Sequence, residues 1–129
     1  MYKIILGILL VSTTVFSLDW IKDLDTAFSM AKKEHKTVMV FVEGKNCSWC
    51  RKMKGRTLTE DSVVKRLEKF VVVKVMREDP NAMATLPQIK GVPTIFFMNS
   101  NKKVLESVIG YSRVRDFIST IDTVEKMAK

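Results

Sequence analysis

The chain contains two cysteines, and they stand three positions apart, as Cys47 and Cys50 with Ser48 and Trp49 between them. Two thiols at this spacing can form a redox couple, supply half of the ligands of a structural zinc site, or close a short disulfide staple. A staple is a weak explanation, since two cysteines cannot frame a domain of 129 residues. The spacing itself indicates a function, because chance rarely places a lone pair of cysteines so close together.

Two predicted elements position the cysteine pair. An unbroken apolar run at 38–42 is typical of a strand that is buried on both faces, and a helix is predicted from about Trp49 to Thr57. Free N–H groups and the helix dipole at such a helix start favour a thiolate. We therefore expect Cys47 to be the nucleophile, and Cys50, one turn further on, to be the shielded resolving thiol.

Basic residues surround the pair. Five positive charges and no acid occur between positions 45 and 56, so their field could favour the thiolate, or they could simply form the solvated face of a short helix. The sequence leaves both interpretations open. The residues are Lys45, Arg51, Lys52, Lys54 and Arg56.

The remaining elements predict an α/β sandwich with a mixed sheet, in which the first strands are parallel and the last two form a hairpin. Ser112 is predicted to cap the last helix, which buries Phe117 and Ile121. The predicted helices are 20–36, 61–69, a short 81–86 and one after Ser112, and the predicted strands are 71–75, 94–98 and 104–109.

The segment Gly91-Val92-Pro93-Thr94, at the start of a predicted strand, completes a pattern. Proline cannot donate to a sheet, so Pro93 must lie at the start or edge of this strand, and its peptide bond could be cis. Together with the strand, C-x-x-C and helix upstream, the chain resembles the thioredoxin fold family. Within it, the chain is similar to small periplasmic thioredoxin-like proteins and to the C-terminal domain of the membrane thiol reductase DsbD. The other residues that carry the resemblance are Val38–Val42, Lys74, Ile95–Met98 and Gly110.

The resemblance implies a three-layer α/β/α thioredoxin-like sandwich and a protein-disulfide reductase type of enzyme. It makes Cys47 the attacking and Cys50 the resolving cysteine. Pro93 would be the cis-proline that, with the backbone of Val92, seats the extended chain of the partner. Lys45, Trp49, Arg51 and Glu43 are expected to support the site.

Departures from the family pattern affect the expected chemistry. Phe41 stands where many thioredoxins place a buried acid, six residues before the first cysteine, and Glu43 is a candidate replacement from a more exposed position. Ser48-Trp49 replaces the usual Gly-Pro dipeptide, and Asn46 replaces the usual tryptophan. Because such residues tune the reduction potential of the cysteine pair over about 150 mV across the family, the sequence does not fix the direction of electron flow.

The N-terminus predicts export. Lys3 is followed by an uncharged, mostly apolar run from Ile4 to Phe16, with Val15 and Ser17 acceptable at the minus-three and minus-one cleavage positions. We expect residues 1–17 to be a cleaved signal peptide and 18–129 to be one thioredoxin-like domain in the periplasm. An uncleaved anchor is the alternative, although the run is shorter than the ~20 residues that span a bilayer.

The expected partners are client proteins with cysteines or disulfides, and a membrane thiol reductase that donates electrons, so that the protein acts as a reductant. No cofactor or metal is expected beyond a redox-active Cys47–Cys50 disulfide, and we expect a monomer. The net charge of +8 is spread along the chain without interleaved aromatic residues, which argues against nucleic-acid binding. The alternative function is copper or zinc handling, or redox-inert partner binding, although the chain has no second cysteine pair and its single histidine, His35, is expected at the surface near the end of the first helix.

Overall fold

The computed structural model describes residues 7–12 and 17–129. Most of the predicted signal peptide, residues 1–6 and 13–16, lies outside the described residues. Residues 7–12 belong to no helix or strand, and the side chains of 8–11 are exposed. Within the described residues, no helix combines the length and apolarity that crossing a bilayer requires.

Helices and strands alternate along the described chain in the predicted order. The helices are α1 (Leu24–Glu34), α2 (Ser48–Gly55), α3 (Asp61–Leu67), α4 (Pro80–Thr85) and α5 (Val114–Met127), with a 3₁₀ helix at Thr57–Thr59. The strands are β1 (Thr37–Glu43), β2 (Phe70–Met76), β3 (Thr94–Met98) and β4 (Val104–Ile109).

The four strands form one mixed sheet in the order β2-β1-β3-β4. β1 runs parallel to β2 and antiparallel to β3, and β3 and β4 form the predicted hairpin. The unbroken apolar run of β1 is explained by its central place, because a central strand with helices on both faces needs apolar side chains on both. Val40 packs into one cluster, and its neighbours Met39 and Phe41 pack into the other.

Helices cover both faces of the sheet, so the fold is the expected three-layer α/β/α sandwich. The cluster on one face includes Ala27 and Phe28 of α1 and Ala82 of α4. The cluster on the other face includes Met53 of α2 and Phe117 of α5, together with residues of α3. The cysteine pair adjoins this second cluster.

The first helix begins later than predicted. The sequence predicted a helix from Trp20, but α1 begins at Leu24, where the carboxylate of Asp23 accepts the Thr26 N–H at 2.8 Å and caps the helix. The preceding Ile21 instead pairs with the β2 edge: its N–H donates to the Val72 carbonyl at 2.8 Å, and its carbonyl accepts from the Lys74 N–H at 3.1 Å. Ile21 therefore protects part of an otherwise open sheet edge.

The predicted cap of the last helix is wrong. Arg113, not Ser112, occupies the N-cap position of α5, and no side chain caps this helix. Ser112 is buried, and its backbone carbonyl accepts a hydrogen bond from the Thr57 hydroxyl at 2.6 Å. This bond ties the segment after α2 to the segment before α5.

Candidate redox site

Cys47 is the N-cap residue of α2, directly after the loop that leaves β1. The preceding residue, Asn46, has a φ of 54°, a left-handed backbone conformation that asparagine adopts more readily than most residues. The Cys47 sulfur accepts the N–H of Cys50 at 3.1 Å. The two cysteines are joined by a disulfide, with their Cα atoms 5.2 Å apart.

The two sulfurs differ in accessibility. Cys47 is half-buried, whereas Cys50 is 1% exposed and packs in the apolar cluster with Met53 and Phe41. An approaching thiol or disulfide therefore meets Cys47 first.

A shallow groove lies beside the helix that carries the cysteines. It encloses about 340 Å³ and is lined by Trp49, Val92, Pro93, Gly110 and Tyr111. The Val92–Pro93 peptide bond is cis, and the Pro93 carbonyl accepts the Gly110 N–H at 2.8 Å. The loop before β3 and the loop after β4 are thereby held together as one wall.

Two aromatic residues of the groove lining, Trp49 and Tyr111, lie close to each other and to the Lys52 ammonium. The rings of Trp49 and Tyr111 lie 5.6 Å apart between centroids. The Lys52 ammonium lies 4.5 Å from the Trp49 centroid and 5.1 Å from the Tyr111 centroid, within the range of a cation–π interaction. Trp49 remains 53% exposed, so its ring is available to a partner.

The structure brings only some of the predicted site residues into the groove. Trp49, Val92 and Pro93 line it next to the cysteines, whereas the exposed Lys45 and Arg51 are not among its lining residues. The Lys45 N–H instead donates to the Glu78 carboxylate at 2.9 Å. This hydrogen bond lowers the pKa of Glu78 and ties the loop before the cysteines to the end of β2.

Glu43, the candidate replacement for a buried acid, is engaged elsewhere. Its carboxylate accepts from the Lys54 ammonium at 2.7 Å, which links the end of β1 to α2. Lys54 is one of the five cations near the cysteines, and this ion pair removes part of their excess positive charge.

The position of the family's buried acid is filled by an aromatic cluster. Phe41 is fully buried, and its ring lies 5.9 Å from that of Trp20. Lys74, opposite Phe41 in the β1–β2 register, places its ammonium 5.5 Å from the Trp20 ring. Proton transfer through a carboxylate at position 41 is therefore not part of this site.

Sequence reasoning missed Tyr111 as a site residue and assigned Gly110 only to the fold. Gly110 has a φ of 85°, and its place at the end of a strand was the one available signal. Tyr111 contacts Trp49 across 62 positions of sequence, and no local pattern encodes such a contact. Among the described residues, no group of three or more histidine, cysteine or acidic side chains is arranged to hold a metal ion.

Comparison with known proteins agrees with this geometry. A family model described as thioredoxin-like matches residues 19–100. No protein with a curated function matches the sequence. A thioredoxin from Thermus thermophilus has a similar structure, with a TM-score of 0.74 and 23% identity over 87% of this chain and 90% of that one.

Two further solved structures are similar to the chain. The reduced DsbD C-terminal domain of Neisseria meningitidis is 26% identical over 76% of this chain and 90% of that one, with a TM-score of 0.63. The reduced periplasmic thioredoxin SoxS of Paracoccus pantotrophus is 14% identical over 73% of this chain and 100% of that one, with a TM-score of 0.61. With the family model covering most of the chain, this protein belongs to the thioredoxin-like family.

Proposed function

We propose that the protein is an exported thiol-disulfide oxidoreductase that reduces disulfides of client proteins in the periplasm. Thiol-disulfide exchange as the reaction class follows from the family and from the paired cysteines. The observation that supports the assignment of roles is the asymmetry of the pair, with Cys47 half-buried at the helix start and Cys50 buried behind it.

The reaction begins with the reduced pair. The Cys47 thiolate attacks one sulfur of a client disulfide, and the other client sulfur leaves as a thiolate that takes up a proton. The Cys50 thiol then loses its proton and attacks the Cys47 sulfur, which releases the second client thiol and forms the Cys47–Cys50 disulfide. Two electrons pass to the client, and a membrane thiol reductase restores the dithiol.

Three features of the site support a reactive Cys47. Its place at the N-cap of α2 sets its sulfur against the positive end of a helix dipole. The Cys50 N–H already points to the Cys47 sulfur at 3.1 Å, and it would donate to a thiolate in the same place. The exposed cations Lys45 and Arg51 add a positive field.

Two observations support export and a reducing role. The apolar residues 8–11 are exposed and contribute nothing to either core cluster, as expected for a segment used for targeting. Similar structures include one titled a periplasmic thioredoxin and the C-terminal domain of DsbD. An oxidising compartment already supplies an oxidant, so a small protein of this type is most useful there as a reductant.

Reduction of insulin by dithiothreitol tests the activity, with turbidity as the readout. We expect the wild type to accelerate the reaction and Cys47→Ala to lose this acceleration completely. Cys50→Ala should also lose the acceleration, and, when reduced and then mixed with insulin without dithiothreitol, it should accumulate a mixed disulfide through Cys47 that is visible by mass spectrometry. An inactive wild type that binds stoichiometric copper or zinc would overturn the proposal in favour of metal handling.

Export is tested by recovery of the full chain from a bacterial host. The periplasmic fraction should contain a protein that begins at Leu18, by N-terminal sequencing. Recovery from the cytosol alone would contradict export without affecting the insulin result.

A further inference from the structure

We propose that Lys52 selects client proteins that carry an acidic residue close to the reacting cysteine. This inference rests on the proposed thiol-disulfide exchange at Cys47 and adds a substrate class to it. The residues that carry it are Lys52 and the two rings that hold its ammonium group, Trp49 and Tyr111.

The position of Lys52 next to the groove is fixed by these rings. Its ammonium lies 4.5 Å from the Trp49 centroid and 5.1 Å from the Tyr111 centroid. Both rings also line the groove together with Pro93. The charge is therefore held beside the path of a bound client chain, whereas a free lysine would sample many positions.

The charge of Lys52 is also available to a client. Among the described residues, no carboxylate lies within 4.0 Å of its ammonium, whereas Lys54, two residues further on, is paired with Glu43 at 2.7 Å. The two lysines on α2 thus differ in role: Lys54 joins the helix to β1, and Lys52 presents a cation at the groove.

Helix geometry gives the offset of Lys52 from Cys47 along the helix axis. Lys52 follows Cys47 by five residues, a rise of roughly 7.5 Å along α2. An extended client chain advances about 3.3 Å per residue. An acidic side chain about two residues from the client cysteine would therefore come within reach of Lys52.

The charges near Lys52 in the sequence also favour an acidic client. No acidic residue occurs between positions 45 and 56, and the chain carries a net charge of +8. A basic client segment would meet the like charge of Lys52 beside the groove and be disfavoured. The difference is expected in the rate of association more than in the chemical step.

Short synthetic peptides test the preference directly. Each contains one cysteine held in a disulfide with 2-mercaptoethanol, and the peptides differ only in having Glu, Gln or Lys two residues before or after the cysteine. The reduced protein converts each probe to free peptide thiol and 2-mercaptoethanol while its own pair becomes a disulfide. Stopped-flow tryptophan fluorescence follows the second-order rate constant.

The wild type should react with the Glu peptide about twofold to fivefold faster than with the Gln peptide, the factor expected for a partly exposed ion pair. The Lys peptide should react more slowly than the Gln peptide. The preference should be largest in about 0.01 M salt and should vanish in about 1 M salt, where the Debye length is only ~3 Å.

Two variants separate Lys52 from the overall charge. Lys52→Met keeps the apolar stem but removes the charge, so it should equalise the Glu and Gln rates. Lys65→Met, on the exposed face of α3, makes the same change in net charge and should keep the full preference.

The remaining outcomes distinguish failure of the oxidoreductase function from failure of the proposed selectivity. If no probe reacts, the proposed oxidoreductase function fails; if the Glu and Lys peptides react equally with the wild type, only the selectivity fails. A preference that survives in Lys52→Met, or that decreases equally in Lys65→Met, would show a whole-surface charge effect and would overturn the assignment to Lys52.

Discussion

At the scale of single residues, the groove depends on a backbone conformation that glycine adopts without strain. Gly110 has a φ of 85°, and its N–H donates to the carbonyl of Pro93 at 2.8 Å. A methyl group on Gly110 would contact no other atom within 4 Å, so any effect of alanine there arises from the backbone alone. Gly55, at the end of α2, also has open space around it but has no positive φ.

Alanine substitutions at these two glycines should therefore change the free energy of unfolding in opposite directions. Gly110→Ala should lower the free energy of unfolding by about 1–2 kcal/mol, the cost of a left-handed conformation for a residue with a side chain. Gly55→Ala should raise it by up to about 1 kcal/mol, because alanine favours a helix. Urea unfolding of both variants checks the pair, and an equal or reversed effect would show that φ does not determine the stability of this turn.

At the scale of elements, the loop between β1 and α2 is anchored by the end of β2. The Lys45 N–H donates to the exposed Glu78 carboxylate, and this bond lowers the pKa of Glu78 from its ordinary value of 4.5. A lowered folded-state pKa means that the ionised carboxylate stabilises the native state. The contribution is complete above the unfolded-state pKa and is lost as the pH falls through the folded-state value.

Glu78→Gln should therefore be less stable than the wild type at pH 7, and the difference should shrink as the pH falls below the ordinary glutamate pKa of 4.5 and through the lowered folded-state pKa of Glu78. Asp23, whose pKa is also lowered, by the Thr26 hydrogen bonds, is present in both proteins, so its contribution cancels. Glu68→Gln, which removes an exposed carboxylate from the end of α3, is the control. A wild-type advantage that persists unchanged in acid would contradict the role of the Glu78 charge.

The elements also show what the sequence could predict. The bounds of β3 and β4 follow from their apolar runs and turn residues, as predicted, and the cysteine pair was found because its spacing is local. The start of α1 was misplaced because helical spacing continues back to Trp20, whereas the Asp23 cap and the pairing of Ile21 with β2 decide the boundary. Ser112 was misread as a cap because α5 begins one residue later than predicted, with Arg113 at the N-cap, and the Ser112 hydroxyl donates to the Arg113 carbonyl at 3.4 Å.

In the redox site, too, features encoded by local sequence were predictable, whereas contacts between distant residues were not. Family resemblance predicts that Cys47, Cys50 and Pro93 share a site, and the structure places Pro93 in one groove with Trp49, which lies between the cysteines in the sequence. The aromatic contact was not predictable, since it joins Trp49 on α2 to Tyr111 after β4. The ion pair between Glu43 and Lys54 also needed coordinates, because α2 carries three basic residues, Arg51, Lys52 and Lys54.

At the scale of the whole molecule, the direction of electron flow is linked to folding. A disulfide as reducing as that of thioredoxin, about −270 mV, belongs to a protein that is more stable oxidised, whereas DsbA, at about −120 mV, is a strong oxidant because its reduced form is stabilised. With about 1.4 kcal/mol for each 30 mV, these two cases differ by about 7 kcal/mol. The difference is large compared with the stability of a domain of this size.

The proposed reductant should therefore unfold at a higher urea concentration when its cysteines are oxidised than when they are reduced. Because the described domain has one sheet with a core cluster on each face, we expect a single cooperative transition in both states. The variant with both Cys47→Ala and Cys50→Ala should unfold identically with and without reductant, which excludes effects of the reductant itself. A reduced form more stable than the oxidised form would make the protein an oxidant of its clients, while leaving thiol-disulfide exchange at Cys47 intact.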